Sequence, residues 1–145
     1  FVDGSQAEAL MMPGGGALDP TSARSLDDGK HFIQMNGKVI FTNAVRNLSS
    51  SCLTALAHHG LTPKDVDLVI AHQANLRIVE AVAQRLDVPM DKFFINIDRY
   101  GNTSSASVPI ALDEAVRSGK VKRGDRLLFC ALGAGLAWGA TVVRF

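Results

Sequence analysis

The stretch Asp67-Leu68-Val69-Ile70-Ala71-His72-Gln73-Ala74-Asn75 decides the fold of this chain. It is a short apolar, β-branched run that ends in polar residues and is followed by helical periodicity over 75–86. A strand this apolar is buried on both faces, as in a parallel sheet that helices cover. Because the carboxyl ends of such strands open onto a crevice, the sequence predicts that His72 lies in a functional crevice.

A second apolar run, over 93–96, is followed by Arg99-Tyr100-Gly101-Asn102-Thr103-Ser104-Ser105, which brings Asn102 to a neighbouring strand end. Two neutral hydrogen-bond donors such as His72 and Asn102 can stabilise a developing oxyanion or enolate. The pattern alone leaves a structural alternative open, in which His72 satisfies a helix start and Asn102 caps a helix.

The remaining segments predict an α/β protein with five strands in one mixed, mostly parallel sheet and helices on both faces. Residues 5–12 suit a further short strand, and residues 17–30 suit a loop. The strands of the sheet are predicted at 31–35, 67–71, 93–96, 126–132 and 137–144. The helices are predicted from about Phe41 to a stop at Gly60, and at about 75–86 and 104–118. The last helix carries apolar residues around most of its circumference, which predicts burial on more than one side and hence a further protein layer.

Composition indicates one soluble globular domain, with 145 residues, 47% hydrophobic and 20% charged residues, and a net charge of +1. It favours neither nucleic-acid binding nor a membrane span. We expect a cytoplasmic protein, since residues 1–12 lack the features of a secretion signal. Because the chain starts at Phe1 in what reads as the end of a strand, we expect a fragment of a longer protein.

Several other sites are predicted to be absent. Cys52 and Cys130 are expected to be reduced core thiols, and a nucleophilic Cys130 is disfavoured because no activating neighbour stands near it in the sequence. His58 and His59 lack a third ligand, so no metal site is expected. The glycine-rich loop at 133–139 lacks the following helix of a dinucleotide fingerprint, because the residues after it are β-branched.

Three sequence motifs, in this order along the chain, resemble those of a known family. They are His72-Gln73-Ala74-Asn75-Leu76-Arg77-Ile78, Gly101-Asn102-Thr103-Ser104-Ser105-Ala106-Ser107-Val108-Pro109 and Gly133-Ala134-Gly135-Leu136-Ala137-Trp138-Gly139. They resemble the C-terminal half of β-ketoacyl-acyl carrier protein synthase III, of the thiolase superfamily, and the likeness runs through nearly all of residues 1–145. The resemblance implies a thiolase-like half-domain whose N-terminal, cysteine-bearing half is absent. Neither Cys52 nor Cys130 matches the nucleophile of the family.

The resemblance also implies the roles of residues. His72 and Asn102 would stabilise the enolate formed when a malonyl thioester loses carbon dioxide. Ala134 would donate its backbone amide to an oxyanion hole, although family members commonly have three glycines preceded by Phe where this chain has Leu132-Gly133-Ala134-Gly135. The positions that match the lining of the coenzyme A tunnel are Gly37, Lys38, Phe41, Ala74, Asn75 and Arg77.

The implied reaction condenses acyl-coenzyme A, such as acetyl-coenzyme A, with malonyl-acyl carrier protein, without a bound cofactor or metal. Arg77 and Arg85 are candidates for contact with the acidic carrier protein, and ordinary solvated arginines are the alternative. The full-length protein is expected to be a homodimer. Two other functions stay open: a related Cys-His-Asn condensing enzyme of secondary metabolism, and a non-catalytic module that binds coenzyme A or carrier protein.

Overall fold

The computed structural model describes residues 1–145 and has the alternating order of an α/β protein. Short 3₁₀ turns at Gly4–Ala9, Pro63–Asp65, Met90–Lys92 and Ser104–Ala106 connect the regular elements. The helices are α1 (Ala23–Asp27), α2 (Gly37–His58), α3 (Leu76–Leu86), α4 (Ile97–Tyr100) and α5 (Ser107–Arg117), and the strands are β1 (Leu10–Met11), β2 (Gln34–Met35), β3 (Leu68–Ala71), β4 (Arg126–Gly133) and β5 (Ala137–Arg144).

Strand β3 is an outer strand of a three-stranded sheet, and all its residues are buried. It pairs in parallel with β4, with Leu68 opposite Leu127 and Ala71 opposite Cys130. Strand β5 lies on the other side of β4. Because only residues 134–136 join β4 to β5, this pair is an antiparallel hairpin, as the sequence predicts.

Alternation along β3 divides the core between the two faces of the sheet. Val69 and Ala71 pack with buried residues of α2 and α3, whereas Leu68 and Ile70 pack with Ala111 and Ala115 of α5 and with Phe94. The prediction of helices on both faces is therefore confirmed. The predicted inward residues of α3 (Val79, Val82 and Leu86) are all buried.

The chain divides into two compact units. The first comprises residues 1–42 and 133–137, and the second comprises residues 43–132 and 138–145. The second unit contains β3, β4, almost all of β5, α3, α4 and α5. No helix of the structure combines the length and the apolar character that crossing a membrane requires.

The five strands form two sheets, which differs from the single sheet that the sequence predicts. Strand β2 pairs antiparallel with β1, in a separate two-stranded sheet. Residues 93–96 contribute one parallel bridge, between Phe93 and Val69, in place of a strand. The reason is local, because the Phe93 N–H donates to Met90 and the Asn96 N–H donates to the Gln73 side chain, so neither extends a ladder.

The N-terminal segment also differs from its prediction. Residues 4–9 form a 3₁₀ turn, because the Asp3 carboxylate accepts hydrogen bonds from the backbone and hydroxyl of Ser5 and thereby stabilises a turn over a strand. The loop expected at 17–30 contains α1, which Ser22 and Ser25 start with reciprocal side-chain-to-backbone bonds.

One side of α5 is packed and another is not. Ala111 and Ala115 are fully buried against the sheet, while Val108 and Leu112 are half-buried and Val116 is 37% exposed. Beside this helix, Val108, Phe129 and Ala140 line an open apolar cavity of about 340 Å³. The helix is therefore apolar on a side that this chain covers only in part.

Candidate active site

His72 lies directly after β3, where its backbone is held by the neighbouring strand. Its N–H donates to the Cys130 carbonyl of β4 over 2.8 Å. The imidazole is half-buried, and burial lowers its pKa below the usual 6.5 because the charged form is less well solvated there. The side chain is therefore a neutral imidazole at pH 7.

Ser107, the first residue of α5, is the partner of the His72 ring. Its Oγ lies 2.5 Å from Nδ1 of His72, and it also accepts a hydrogen bond of 3.3 Å from the Gln73 N–H. Ser107 is 2% exposed, so its hydroxyl proton needs an acceptor, and His72 Nδ1 is the acceptor within reach. With Nδ1 accepting from Ser107, the proton of the neutral ring resides on Nε2, which makes Nε2–H a hydrogen-bond donor.

Asn102 is exposed, and its orientation is set by its own loop. Its Oδ1 accepts from the Ser104 N–H over 3.0 Å, and Nδ2 donates to no group of the chain. Ser104 has a φ of 55°, and Gly101 has a φ of 67° with a ψ of −160°. The turn therefore leaves the carboxamide N–H₂ available as a donor, which is the role that the sequence predicts for this residue.

The structural alternatives for these two residues hold in part, because Asn102 Oδ1 accepts from the Ser104 N–H at the start of the 3₁₀ turn that leads into α5, and the His72 ring bonds Ser107, the first residue of α5. Asn75 caps α3, since its Oδ1 accepts from the Arg77 N–H over 2.9 Å. Helix α5 has Ala106 at its N-cap position and no side-chain cap. His72 thus caps no helix, and Asn102 orders the 3₁₀ turn at Ser104–Ala106 while leaving α5 uncapped.

Gln73 connects the end of β3 to the segment before Asn102. Its side chain is 1% exposed and donates to the carbonyls of Ala71 (2.9 Å) and Phe94 (3.1 Å), while its Oε1 accepts from the Asn96 N–H (3.2 Å). All polar atoms of this buried amide are thereby used. The residue that follows His72 therefore fixes where residues 94–96 run.

Ser107 and Gln73 are partners that sequence reasoning missed. Ser107 stands 35 positions from His72, and nothing in the local pattern links the two residues. A signal was available for Gln73, because a long amide that directly follows a buried strand must find partners for three hydrogen-bonding groups. These two side chains join the strand end to α5 and to the segment before Asn102.

Ala134 lies in the three-residue turn between β4 and β5, within the first unit. It is exposed, its φ is not positive, and none of the backbone hydrogen bonds of the turn uses its N–H. The methyl group therefore does not prevent the amide from acting as a donor. A strand, β5, follows the loop in place of a helix, which bears out the rejection of a dinucleotide fingerprint.

The residues predicted to line a coenzyme A tunnel begin two helices. Gly37, Lys38 and Phe41 lie in the first turns of α2, within the first unit, and all three are exposed. Ala74 is half-buried before α3, and Asn75 and Arg77 are exposed at its start. Arg85 is exposed in the last turn of α3.

The two thiols belong to the core. Cys52 is 0% exposed and Cys130 is 2% exposed, and both pack in the cluster between α2, α3 and the sheet. A hydrogen bond with Cys130, together with burial, raises the pKa of the Cys52 thiol, which keeps it protonated and unreactive. No group of three or more His, Cys, Asp or Glu side chains is placed to hold a metal ion.

Known proteins resemble this chain in sequence and in fold. The family model described as 3-oxoacyl-[acyl-carrier-protein (ACP)] synthase III C terminal matches residues 56–145. A β-ketoacyl-[acyl-carrier-protein] synthase III from Roseiflexus sp. (strain RS-1) is 48% identical over 144 residues, which are 99% of this chain and 44% of that protein. The chain thus spans less than half the length of that relative.

Solved structures are similar over the whole chain. The 3-oxoacyl-[acyl-carrier-protein] synthase III from Aquifex aeolicus VF5 has a TM-score of 0.87 at 43% identity and covers 100% of this chain and 42% of its own. The priming β-ketosynthase from the R1128 polyketide biosynthetic pathway has a TM-score of 0.83 at 34% identity, covering 100% of this chain and 43% of its own. These likenesses confirm the predicted thiolase-like α/β fold. The chain belongs to the β-ketoacyl-[acyl-carrier-protein] synthase III family and corresponds to its C-terminal region.

Proposed function

We propose that this chain supplies the decarboxylation site of an enzyme that condenses an acyl-coenzyme A with malonyl-acyl carrier protein, which begins fatty acid synthesis. The observation that carries the proposal is a pair of side chains with donors left to offer: His72, whose Nδ1 is bonded to the Ser107 hydroxyl so that Nε2 is left for a ligand, and Asn102, with an unused amide N–H₂. Membership of the family supports it. The cysteine that would carry the acyl group belongs to the N-terminal half of the full-length protein.

The chemistry requires stabilisation of an enolate. When the malonyl thioester loses carbon dioxide, the bond to the carboxylate breaks and its electron pair moves onto the thioester oxygen. Donors from His72 and Asn102 would hold that oxygen without ionising, whereas carboxylates would repel it. The low pKa of His72 supports this role, because a neutral ring donates without first binding a proton. The enolate carbon then attacks the acyl thioester on cysteine, and the cysteine thiolate leaves.

Three further assignments complete the proposal. The backbone N–H of Ala134 would donate to the oxyanion of the acyl-transfer step. The coenzyme A thioester would be a substrate, and no bound cofactor or metal takes part. The residues proposed to contact the pantetheine arm are Gly37, Lys38, Phe41, Ala74, Asn75 and Arg77, with Arg77 and Arg85 proposed to face the carrier protein in a homodimeric full-length enzyme.

The test uses the full-length protein with His72→Ala and Asn102→Ala. Each variant should lose about two powers of ten in malonyl decarboxylation, since one donor contributes about 3 kcal/mol to enolate stabilisation. Transfer of acetyl to the cysteine should continue, because no enolate forms in that step. The two steps are followed separately, by release of labelled carbon dioxide and by mass spectrometry of the acyl enzyme.

The matched control is His59→Ala, which removes an exposed histidine beyond the end of α2 and should leave both steps unchanged. Equal losses in both steps for His72→Ala and Asn102→Ala would contradict the separation of roles. Normal decarboxylation in both variants would contradict the site assignment.

A second candidate function is the priming condensation of a secondary-metabolite pathway. The likeness to the R1128 priming β-ketosynthase favours it. The same residues would perform the same chemistry, and the two candidates differ in the acyl starter. Measuring the rate of acyl transfer for acetyl-coenzyme A against longer and branched acyl-coenzyme A substrates separates them.

A further inference from the structure

The carboxylate of Glu114 in α5 accepts four hydrogen bonds from one segment of the chain. Its two oxygens accept from Asn96 Nδ2 (2.8 Å), from both terminal nitrogens of Arg99 (2.9 Å each) and from the Tyr100 hydroxyl (2.8 Å). The Asn96 bond, followed by those from Tyr100 and Arg99, lowers the pKa of Glu114. The carboxylate therefore stays charged, and it holds three residues of the segment 96–100 at once.

This arrangement differs from an ordinary surface ion pair. The glutamate side chain is 20% exposed, the Arg99 contact is a two-pronged bond, and Asn96 is 2% exposed. Bidentate, charge-assisted hydrogen bonds fix geometry much more firmly than a single exposed contact does. Helix α4, which is only one turn long, is thereby tied to the middle of α5.

The segment that Glu114 holds leads directly to Asn102. Tyr100 ends α4, Gly101 turns the chain, and Asn102 follows with its Oδ1 on the Ser104 N–H. Asn102 is exposed, and its side chain makes no other hydrogen bond. Its position therefore depends on the backbone at the two ends of the turn: α4, held by Glu114, and Ser107, bonded to His72.

The same network reaches the backbone next to His72. The Asn96 side chain donates to Glu114, and the Asn96 N–H donates to Gln73 Oε1. Gln73, in turn, bonds the carbonyl of Ala71 at the end of β3. A continuous chain of hydrogen bonds thus runs from Glu114 through Asn96 and Gln73 to the strand end that carries His72.

We propose that Glu114 is a positioning residue that holds Asn102 in register with His72, so that both donors reach one enolate oxygen. This inference rests on the proposed function, because it concerns the geometry of that same site. Misplacement of a catalytic group by about 1 Å can cost up to about a hundredfold in rate. Glu114 itself touches no reacting atom, and its effect passes through Asn102.

The test is Glu114→Gln in the full-length protein, which keeps the size of the side chain but places an N–H₂ group against donors. We expect malonyl decarboxylation to slow by about tenfold or more, with acetyl transfer to the cysteine within about twofold of wild type. The matched control is Asp113→Asn. Asp113 is the preceding residue, pairs with Arg117 on the same helix and makes no hydrogen bond to residues 96–102, so both steps should be unchanged.

A double-mutant cycle supplies a readout that a merely structural role would not move. If Glu114 acts through Asn102, then Glu114→Gln should cost little further decarboxylation in the Asn102→Ala background. Additive losses of decarboxylation in the double mutant would overturn the inference. So would an equal fall of decarboxylation and acetyl transfer in Glu114→Gln, or a normal decarboxylation rate for Glu114→Gln when Asn102→Ala is impaired. A normal rate for Asn102→Ala would instead overturn the proposed function.

If Glu114→Gln does not fold, the variant Tyr100→Phe tests the same inference. It removes one of the four hydrogen bonds, from a residue that is 47% exposed, so the fold should persist. We expect a loss of about threefold in decarboxylation, none in acetyl transfer, and none when Asn102 is already Ala. A loss that adds to that of Asn102→Ala, or the absence of any loss, would overturn the inference.

Discussion

Ser107 determines, at the scale of single residues, which nitrogen of His72 carries the proton. The Ser107 hydroxyl donates to Nδ1, and burial lowers the pKa of the ring, so the neutral Nε2–H form is the one that would face the proposed substrate. A hydrogen bond to the neutral form also stabilises that form against protonation. The serine and the burial therefore act in the same direction on the pKa.

Ser107→Ala is expected to raise the pKa of His72, because the donor that stabilises the neutral ring is lost, and to populate the Nδ1–H tautomer. Nitrogen-15 NMR of the imidazole during a pH titration measures both quantities. Ser118→Ala, which removes a hydroxyl that bonds the Ala115 carbonyl at the end of α5, should change neither. A wild-type ring with its proton on Nδ1 would contradict the assignment.

The role of His72 and Asn102 as donors stays a prediction. The position of His72 at the end of a strand could be predicted from sequence, because the end of an apolar run is a local property, although Asn102 follows α4 instead of a strand. Ser107 and Glu114 could not be predicted, because their partners come from elsewhere in the chain: Ser107 lies 35 positions from His72, and Glu114 lies 18 positions from Asn96. Only the packing of α5 against β3 brings these groups together. The proposed donors can thus be located from local sequence, whereas the groups that orient them cannot.

At the scale of elements, the turn between α4 and α5 depends on the backbone conformation of Gly101. Gly101 has a φ of 67° and a ψ of −160°, a region that side chains other than glycine rarely enter. No heavy atom lies within 4 Å of the position that a Cβ would occupy. The requirement for glycine is therefore one of backbone conformation and has no steric component from neighbours.

Gly101→Ala is expected to destabilise the full-length protein by about 1–3 kcal/mol, or to shift the turn and slow decarboxylation. Gly119→Ala is the matched comparison, because Gly119 has a φ of 72° just beyond α5 and likewise has open space around it. That variant should lose about 1 kcal/mol and keep its decarboxylation rate. Chemical denaturation and the carbon dioxide assay measure the two effects, and equal decarboxylation losses in both variants would contradict a special role for Gly101.

Elements with a strong periodic pattern were predicted with nearly correct bounds. Strand β3, helix α3 and the hairpin of β4 and β5 belong to this group, because burial on both faces or on one helical face determines their composition. The segment 93–96 was predicted as a strand because it is apolar. The Gln73 side chain bonds the backbone of this segment, so that its pairing with β3 is limited to one bridge. Sequence periodicity does not reveal such side-chain bonds.

At the scale of the whole chain, an apolar surface around Val108, Leu112 and Val116 of α5 is only partly covered, and apolar side chains of the first unit, such as Phe32 and Ile33, are exposed as well. The purified chain of 145 residues is therefore expected to self-associate. Covering several hundred Å² of apolar surface is worth several kcal/mol at about 25 cal/mol per Å². Sedimentation velocity over a range of concentrations measures this association.

Val116→Lys and Leu112→Lys should weaken that association, because each places a charge on the exposed side of α5. Arg117→Lys, which keeps the charge of the adjacent exposed position, is the control. The prediction would be wrong if the chain stayed monomeric at all concentrations or if these lysines left the association unchanged. Either result would show that this side of α5 does not mediate self-association.

The burial of Cys52 and Cys130 also determines how the molecule responds to thiol reagents. Both sulfur atoms are shielded in the folded core, and the Cys52 thiol resists ionisation. A maleimide or a disulfide reagent therefore modifies them only when α2 separates from the sheet, so their labelling rate reports the opening of that core. In an enzyme that also carries an exposed nucleophilic cysteine, brief labelling would tag that cysteine alone, and the two native thiols would not need to be replaced before a fluorescent probe is attached.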